Sequence, residues 1–209
     1  NGKQSLEKYI FNLEIEVQND WAGYSKAVPR LSNVKITDEH FYSFGVLLGY
    51  SFLFGIRDLH KFNLILTESH LQVIDAEVVM TNLLLPNETV LLPFKDVAFD
   101  LCGISLLCDS IETLPSHLRR SIFAGYFDFF AVAFLKQSEI CETIRESSRN
   151  SPIRVIIRNT REYTKHISGE SRITDLMLEE EMQIARGDIP YFFKKLGDEN
   201  LFWISSKNG

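Results

Sequence analysis

The polar side chains around two short apolar runs are the part of this sequence best suited to chemistry. Asp58, His60 and Asn63 lie in one loop, and Asp75 ends the second apolar run. A carboxylate can orient or deprotonate a hydroxyl group, while an amide oxygen and a second carboxylate can hold Mg²⁺ against nucleotide phosphates. These residue types therefore predict phosphoryl transfer, with Asp58 at the hydroxyl group and with Asn63 and Asp75 at the metal.

The spacing of these residues favours the same chemistry. Four residues separate Asp58 from Asn63, as four residues separate the catalytic acid from the metal-binding asparagine in protein kinases. Asp75 follows where a kinase has its metal-binding aspartate. The alternative is a polar turn whose side chains only cap backbone groups, and the density of polar groups disfavours it. Imidazole is suited to proton transfer, although His60 can equally be structural.

A buried helix is predicted to lead into this loop. No charged residue occurs between positions 41 and 56, but this stretch is shorter than a membrane span and contains three glycines. Thr37 or Asp38 is a suitable N-cap, and Gly55 is a suitable C-terminal stop. We therefore expect a core helix that ends near Phe54, and no membrane span.

Short strands and further helices are predicted on either side of that helix. Strands over residues 64–66 and 71–74 should form a hairpin, because each is a short apolar run and the turn between them is polar. Apolar residues at helical spacing predict a helix over residues 5–19. Pro115 suits the start of another helix, which should reach about residue 137.

A second group of residues is suited to anion binding. Arg154, Arg158 and Arg161 flank a short apolar run, and the planar fork of arginine matches phosphate. The simpler interpretation is a solvated, charged strand at the edge of a sheet. Further along the chain, the acidic run 179–181 is interpreted as a solvated helix face, and the segment 187–192 as a specific turn with aromatic anchors.

Composition and charge narrow the class of protein. The chain of 209 residues has room for one domain with a full core. Its net charge of −6 argues against non-specific nucleic-acid binding and against attachment to anionic membranes. Cys102, Cys108 and Cys141 lack the spacing of a disulfide framework or a zinc ribbon. Because residues 1–20 contain no secretory signal, we expect three buried thiols in a reducing cytoplasm.

Together these motifs resemble the dehydratase domain of class II lanthipeptide synthetases, the LanM type. The resemblance spans residues 41 to about 193 and rests on the order and spacing of the motifs. Ala76 departs from the family, which usually has leucine there, and Asn159 stands where proline is common. The matching pieces are the helix 41–56, Asp58-Leu59-His60-x-x-Asn63, Ile74-Asp75-Ala76-Glu77, Asp100-Leu101-Cys102-Gly103-Ile104, Arg154-x-x-x-Arg158-Asn159-Thr160-x-x-Tyr163, Glu181 and Gly187-Asp188-Ile189-Pro190-Tyr191-Phe192.

The resemblance implies a fold, a reaction and a set of site residues. The fold would be α+β and mainly helical, like the carboxy-terminal lobe of a protein kinase, with a small hairpin or sheet at the catalytic and metal loops and another strand over residues 154–157. Such enzymes phosphorylate Ser and Thr of a precursor peptide with ATP and Mg²⁺, and then eliminate phosphate to give dehydroamino acids. The implied catalytic residues are Asp58, His60, Arg154 and Thr160; the cofactor-binding residues are Asn63, Asp75 and Arg158; the metal ligands are Asn63, Asp75 and Glu77.

We expect one partial domain of this type over residues 1–209, composed of a helical segment (1–36), a kinase-like catalytic core (37–146) and the elimination motif with a C-terminal helical segment (151–209). Only 57 residues precede Asp58, so an upstream lobe or a partner subunit would complete it. Two alternatives stay open, namely a kinase-like module that binds a peptide or partner without catalysis, and another kinase-like phosphotransferase. Arg154 and Thr160 favour the dehydratase.

Overall fold

Five α-helices and seven short strands make up the regular structure of the residues described by the computed structural model, which are 15–19, 22–25, 27–29, 31, 33–95, 97–148 and 151–203. The strands form three small antiparallel sheets, so the predicted α+β class is confirmed. The likeness to a kinase lobe stays a prediction. In chain order the elements are β1 (Ile15–Asn19), β2 (Ala22–Ser25), α1 (Asp38–Leu53), β3 (Leu64–Leu66), β4 (Leu71–Val73), α2 (Ser116–Leu135), α3 (Gln137–Ser148), β5 (Pro152–Val155), α4 (Thr160–Ile167), α5 (Leu178–Ile184), β6 (Phe192–Lys195) and β7 (Phe202–Trp203).

The chain divides into two units, an N-terminal unit of residues 1–137 and a C-terminal unit of residues 138–209. The first sheet of the N-terminal unit is the hairpin of β1 and β2. The helix predicted over residues 5–19 is wrong for its last five residues, which form β1. Ile15 and Val17 alternate with polar residues, and this period of two fits a strand as well as the longer helical spacing does. The remainder of that predicted helix lies outside the described residues.

Helix α1 begins and ends where the sequence predicts. Thr37 is its N-cap, and Gly55 follows its end with φ of +58°, a left-handed conformation that stops the helix. His40 in the first turn is fully buried. Its Nδ1 accepts a hydrogen bond from the Thr37 backbone N–H (3.2 Å), and its Nε2 donates to the carbonyl of Thr67 (3.2 Å). The ring therefore joins the start of α1 to the turn between β3 and β4.

Helices α1 and α2 pack together through glycine. A Cβ atom on Gly45 would lie 2.0 Å from the carbonyl oxygen of Ile122, and one on Gly125 would lie 2.0 Å from that of Tyr42. Both positions therefore allow the two backbones to approach closely. The predicted helix from Pro115 onward is confirmed as α2. The hydroxyl of Tyr42 also donates to Oδ2 of Asp128 on α2, at 2.9 Å.

The hairpin of β3 and β4 adds to the core of the N-terminal unit and confirms the predicted strands. Leu64 pairs with Val73, and Leu66 pairs with Leu71. Leu64, Leu71 and Val73 are at most 3% exposed and belong to the same apolar cluster as α1. Burying each of these side chains contributes roughly 1.5–3 kcal/mol. The residues before and after the hairpin are thus fixed to a packed core.

The C-terminal unit is built on a three-stranded antiparallel sheet in the order β5, β6 and β7. Ile153 on β5 and Phe192 on β6 are buried. The strand predicted over residues 154–157 ends at Val155, because Ile156 and Ile157 leave the sheet and expose much of their side chains. Helix α4 follows within a few residues.

The cysteines and the helices test two further expectations. Cys102 is buried, Cys108 is half-buried and Cys141 is exposed on α3, and all three are free thiols. The prediction that all three are buried is therefore confirmed for Cys102 and met only in part by Cys108, and it is wrong for Cys141, which stands in the polar sequence of an exposed helix. Burial raises the pKa of the Cys102 thiol. Among the described residues, no helix combines the length and apolar character needed to cross a membrane.

Candidate active site

Backbone hydrogen bonds on either side of Asp58 hold its loop in place. The N–H of Arg57 donates to the carbonyl of Val78, and the N–H of Leu59 donates to that of Thr89, each at 2.9 Å. Between these two anchors Asp58 has φ of +64°, a left-handed conformation that aspartate tolerates better than most residues. Its carboxylate remains accessible, since the side chain is 56% exposed.

Asn63 connects this loop to the hairpin. Its Nδ2 donates to the carbonyl of Asp58 at 2.8 Å. Because a carbonyl can only accept, this bond fixes which end of the amide faces it and leaves Oδ1, the atom that a metal would need, out of the contact. The carbonyl of Asn63 accepts from the N–H of Ile74 at 2.9 Å. The backbone of Asn63 is therefore bonded to the residue before Asp75, and its side chain is bonded to the backbone of Asp58.

His60 lies next to Asp58 at the surface of the loop. Its Nε2 is 3.8 Å from Oδ1 of Asp58, a distance too long for a hydrogen bond. Its Nδ1 is buried and has no hydrogen-bond partner among the described residues. The ring packs edge-on against Phe62, with 5.8 Å between ring centroids. This arrangement places the imidazole near the acid, and its role in proton transfer stays a prediction.

Oxygen donors suited to Mg²⁺ follow the hairpin. Asp75 and Glu77 are exposed, whereas Ala76 between them packs against the core. Mg²⁺ is usually held by one or two carboxylates together with substrate phosphates, and Asn63 and Asp75 fit that pattern. In the described part of the chain, at this site or at any other, no three or more His, Cys, Asp and Glu side chains form a group that could hold a metal ion.

The predicted elimination residues lie in the C-terminal unit. Arg154 is on β5, and its guanidinium lies 5.2 Å from the ring centroid of Tyr191, which precedes β6. Stacking of this kind uses the face of the guanidinium, while hydrogen bonds to an anion run in its plane. Arg154 is half-buried. The aromatic ring of Tyr191 therefore makes a cation–π contact with this guanidinium.

Thr160 is the first residue of α4. Asn159 is the N-cap, and its Oδ1 accepts from the N–H of Arg161 at 2.9 Å. The departure from the family at position 159 is thus compensated, since asparagine is a favourable N-cap. Thr160 is exposed. Its hydroxyl stands at the positive end of the helix dipole, which favours anions.

Arg158 is engaged with acidic residues of its own unit. Its Nε donates to Oε1 of Glu180 (3.0 Å), its Nη2 donates to the carbonyl of Asp175 (2.7 Å), and its Nη1 lies 3.3 Å from the carboxylate of Asp175. The side chain is only 20% exposed. Sequence reasoning assigned Arg158 to cofactor binding, whereas in the structure its donors contact protein acceptors.

Glu180 on α5 is the site residue that sequence reasoning missed. The acidic run was interpreted as a solvated helix face, and this is wrong for Glu180, which is fully buried. Its Oε1 also accepts from the hydroxyl of Tyr163 at 2.5 Å, and its Oε2 accepts from the N–H of Met177 at 2.7 Å. The sequence contains only a weak signal that Glu180 is buried. The apolar residue Ile184 follows four positions later and therefore lies on the same face of the helix.

Burial and hydrogen bonding act in opposite directions on the pKa of Glu180. Burial alone would raise the pKa of Glu180, but hydrogen bonds from Met177, Tyr163 and Arg158 outweigh burial and hold its pKa below the ordinary value. Burial and the bond to Glu180 raise the pKa of Tyr163. The bond to Glu180 likewise raises the pKa of Arg158. The three groups therefore form an ionised carboxylate, a neutral phenol and a guanidinium.

The segment Gly187–Phe192 forms a defined turn, as its sequence suggests. Gln183 on α5 is buried, and its Oε1 accepts from the N–H of Tyr191 at 2.9 Å. The carbonyl of Gln183 accepts from the N–H of Asp188 at 3.1 Å. Gly187 has φ of +80°, which glycine adopts without strain. This turn places Tyr191 where it stacks on Arg154.

A cavity of about 450 Å³ lies elsewhere in the N-terminal unit, between the start of α1 and the segment before α2. Asp38, Cys108 and His117 are among its lining residues, and none of the predicted site residues lines it. Nε2 of His117 is 3.8 Å from Oδ1 of Asp38, and both side chains are largely exposed. The cavity therefore does not contribute to the loop of Asp58.

Comparison with known proteins adds no family to this description. The chain matches no model of a known protein family, and a search of curated proteins finds no match. The resemblance to class II lanthipeptide dehydratases therefore rests on the motifs quoted above and stays a prediction.

Proposed function

We propose that this chain belongs to a lanthipeptide dehydratase that phosphorylates Ser and Thr of a precursor peptide with ATP and Mg²⁺ and then eliminates the phosphate. The observation that carries the proposal is that hydrogen bonds of Asn63 link the loop of Asp58 to the end of the hairpin, directly before Asp75. This arrangement supplies an exposed carboxylate for the hydroxyl group and, within the same loop and hairpin, an amide oxygen and a carboxylate for the metal.

In the first step, Asp58 accepts the proton of the substrate hydroxyl as its oxygen attacks the γ-phosphorus of ATP. Mg²⁺, when bound, neutralises charge on the phosphates. Asn63 and Asp75 would hold it, with Glu77 nearby. The products of this step are ADP and a phosphorylated peptide.

In the second step, a base removes the Cα proton of the phosphorylated residue, a carbon–carbon double bond forms, and the carbon–oxygen bond to phosphate breaks. The leaving group carries negative charge, so cationic and dipolar groups would stabilise it. Two features support roles for Arg154 and Thr160 here. Tyr191 makes a cation–π contact with the guanidinium of Arg154, and Thr160 stands at the N-terminus of α4.

Partners and location follow from the proposed reaction. The substrate would be a precursor peptide, and an upstream lobe or partner subunit would supply the remaining nucleotide contacts. Because the reaction consumes ATP, we place it in the cytoplasm. Nothing in the proposal calls for nucleic acid, and the net charge of −6 disfavours it.

The proposal is tested by separating the two steps. The protein is incubated with Mg²⁺ and ATP and with a peptide chemically phosphorylated on Ser, and the peptide mass is followed. We expect loss of phosphoric acid from the phosphopeptide, abolished in Arg154→Ala and retained in Arg172→Ala, a matched change at an exposed arginine of the same unit.

Nucleotide binding is measured in parallel as stabilisation by Mg²⁺ and ATP. Stabilisation that Asp75→Asn removes, without elimination, would identify a lobe that binds the metal–nucleotide complex and needs its partner for chemistry. Failure of both measurements would overturn the dehydratase in favour of a kinase-like module that binds a peptide or partner without catalysis.

A further inference from the structure

One buried carboxylate oxygen is bonded to residues on both sides of Thr160. Oε1 of Glu180 accepts from Nε of Arg158 (3.0 Å) and from the hydroxyl of Tyr163 (2.5 Å). Arg158 precedes Thr160 by two residues, and Tyr163 follows it by three. The connection from β5 and the first turn of α4 are therefore tied to the same atom.

Glu180 is itself fixed by the start of α5. Its Oε2 accepts from the N–H of Met177 at 2.7 Å, the residue that caps this helix. All three partners of the carboxylate are donors. A side chain that offered a donor at either oxygen position would therefore face another donor, so only the ionised carboxylate satisfies the whole arrangement.

The contacts of Arg158 point to a holding role. An arginine that binds phosphate presents neighbouring N–H groups to it in one plane. In this structure Glu180 and Asp175 accept from that edge, and the side chain is only 20% exposed. Thr160, by contrast, is exposed on the segment that these bonds hold.

We propose that Glu180 is a positioning residue, which holds Thr160 through Arg158 and Tyr163 for the elimination of phosphate. The catalytic part of this inference rests on the proposed function, whereas the holding of the segment rests on the contacts alone. Arg158 acts by neutralising Glu180 and anchoring the chain, and the proposed function assigns the departing phosphate to Arg154. Small misplacements of a reacting group lower rates steeply, by about a hundredfold for roughly 1 Å.

The kinetic test compares Glu180→Gln and Tyr163→Phe with the unchanged protein on a phosphoserine peptide. We expect kcat for elimination to fall about tenfold or more in Glu180→Gln, with KM changed less than about twofold, because positioning acts on the transition state more than on binding. Glu162→Gln, the same change at an exposed residue of α4, serves as the control and should leave both constants unaltered. Unchanged kcat in Glu180→Gln would overturn the positioning role.

Amide hydrogen exchange tests the holding of the segment without any reaction. We expect faster exchange in residues 159–164 of Glu180→Gln and, to a smaller extent, of Tyr163→Phe, with residues 41–53 of α1 unaffected and the control unaltered. Unchanged exchange in residues 159–164, or faster exchange everywhere, would overturn the inference. If the unchanged protein eliminates no phosphate, the exchange measurement alone decides whether Glu180 holds this segment, and the proposed function fails only if Mg²⁺ and ATP also give no stabilisation.

Discussion

The loop of Asp58 and the segment of Thr160 hold their polar residues in different ways. In the first, backbone hydrogen bonds to Val78 and Thr89 and the neighbouring hairpin fix the chain, and the carboxylate is exposed. In the second, the side chain of Glu180 fixes the chain, and this carboxylate is completely buried. Spacing in the sequence can predict a site of the first kind. For the second it identifies the segment but not what holds it.

The largest expected effect of a single change is at Asp58. Asp58→Asn keeps the shape of the side chain but removes the group that accepts the hydroxyl proton, so phosphorylation should fall about 10²–10⁴-fold. The measurement is the rate of phosphopeptide formation with ATP, Mg²⁺ and the upstream lobe or partner subunit supplied. The unfolding temperature should stay unchanged because the side chain is exposed. If Asp58→Asn instead unfolds enough of the protein to account for the lost rate, then Asp58, like Glu180, contributes to stability, which would contradict the contrast between the two regions.

Glu180→Ala should give the largest loss of stability in the second region. It leaves the buried hydroxyl of Tyr163 and Nε of Arg158 without their acceptor, and breaking a buried ion pair in this way costs about 3–5 kcal/mol. The free energy of unfolding in denaturant measures the effect. Glu181→Ala, at an exposed neighbour on α5, should cost less than about 0.5 kcal/mol. Equal effects for the two variants would contradict the contrast between the regions.

Gly125→Ala tests the packing of α2 against α1, the helix that leads into the loop of Asp58. Alanine favours helix over glycine by about 1 kcal/mol, yet a Cβ atom here would lie 2.0 Å from the carbonyl of Tyr42. We therefore expect a net loss of about 1–3 kcal/mol, as for other overpacked positions. Ala124→Gly, at the exposed neighbour on α2, isolates the helix-propensity term. A stabilised Gly125→Ala variant would mean that α1 and α2 do not pack so closely in solution.

The smallest expected effect is a dependence on pH that belongs to the second region. The pKa of Glu180 is lowered in the folded chain. Its contribution is therefore present above the ordinary glutamate pKa of about 4.3 and is lost as pH falls through the lower, folded value. The unfolding temperature of the unchanged protein should fall in that acid range more than that of Glu180→Gln. Parallel curves for the two proteins would contradict the assignment, and Glu162→Gln should follow the unchanged protein.

Local sequence signals account for most of the fold around the first region. Thr37 and Gly55 delimit α1, because helix capping depends on residues next to the helix in sequence. Two short apolar runs separated by a polar turn predict the hairpin, because its strands are also neighbours in sequence. The strand at residues 15–19 was missed because Val17 continues a helical spacing from Leu13, although Val17 also forms a period of two with Ile15. Pairing with β2 decides between them, and a periodicity read from one segment does not contain that information.

The candidate site divides in the same way. Asp58, Asn63 and Asp75 are predicted to be near one another, and in the structure Asn63 is bonded to the carbonyl of Asp58 and to the N–H of Ile74, which precedes Asp75. Arg158 and Glu180 are 22 positions apart. Nothing within either segment indicates the other, and three consecutive acids usually face water. Only the tertiary structure shows which of the three turns inward.

The backbone conformation of Asp58 restricts which acid can occupy that position. Left-handed φ values are accessible to glycine and, at modest cost, to asparagine and aspartate, whose short side chains bond to nearby backbone. Glutamate would offer the same carboxylate, yet its longer side chain has no such compensation. The proposed reaction requires a carboxylate at this position, and the backbone conformation favours the shorter of the two acids. Aspartate meets both requirements, and we expect glutamate to be tolerated less well.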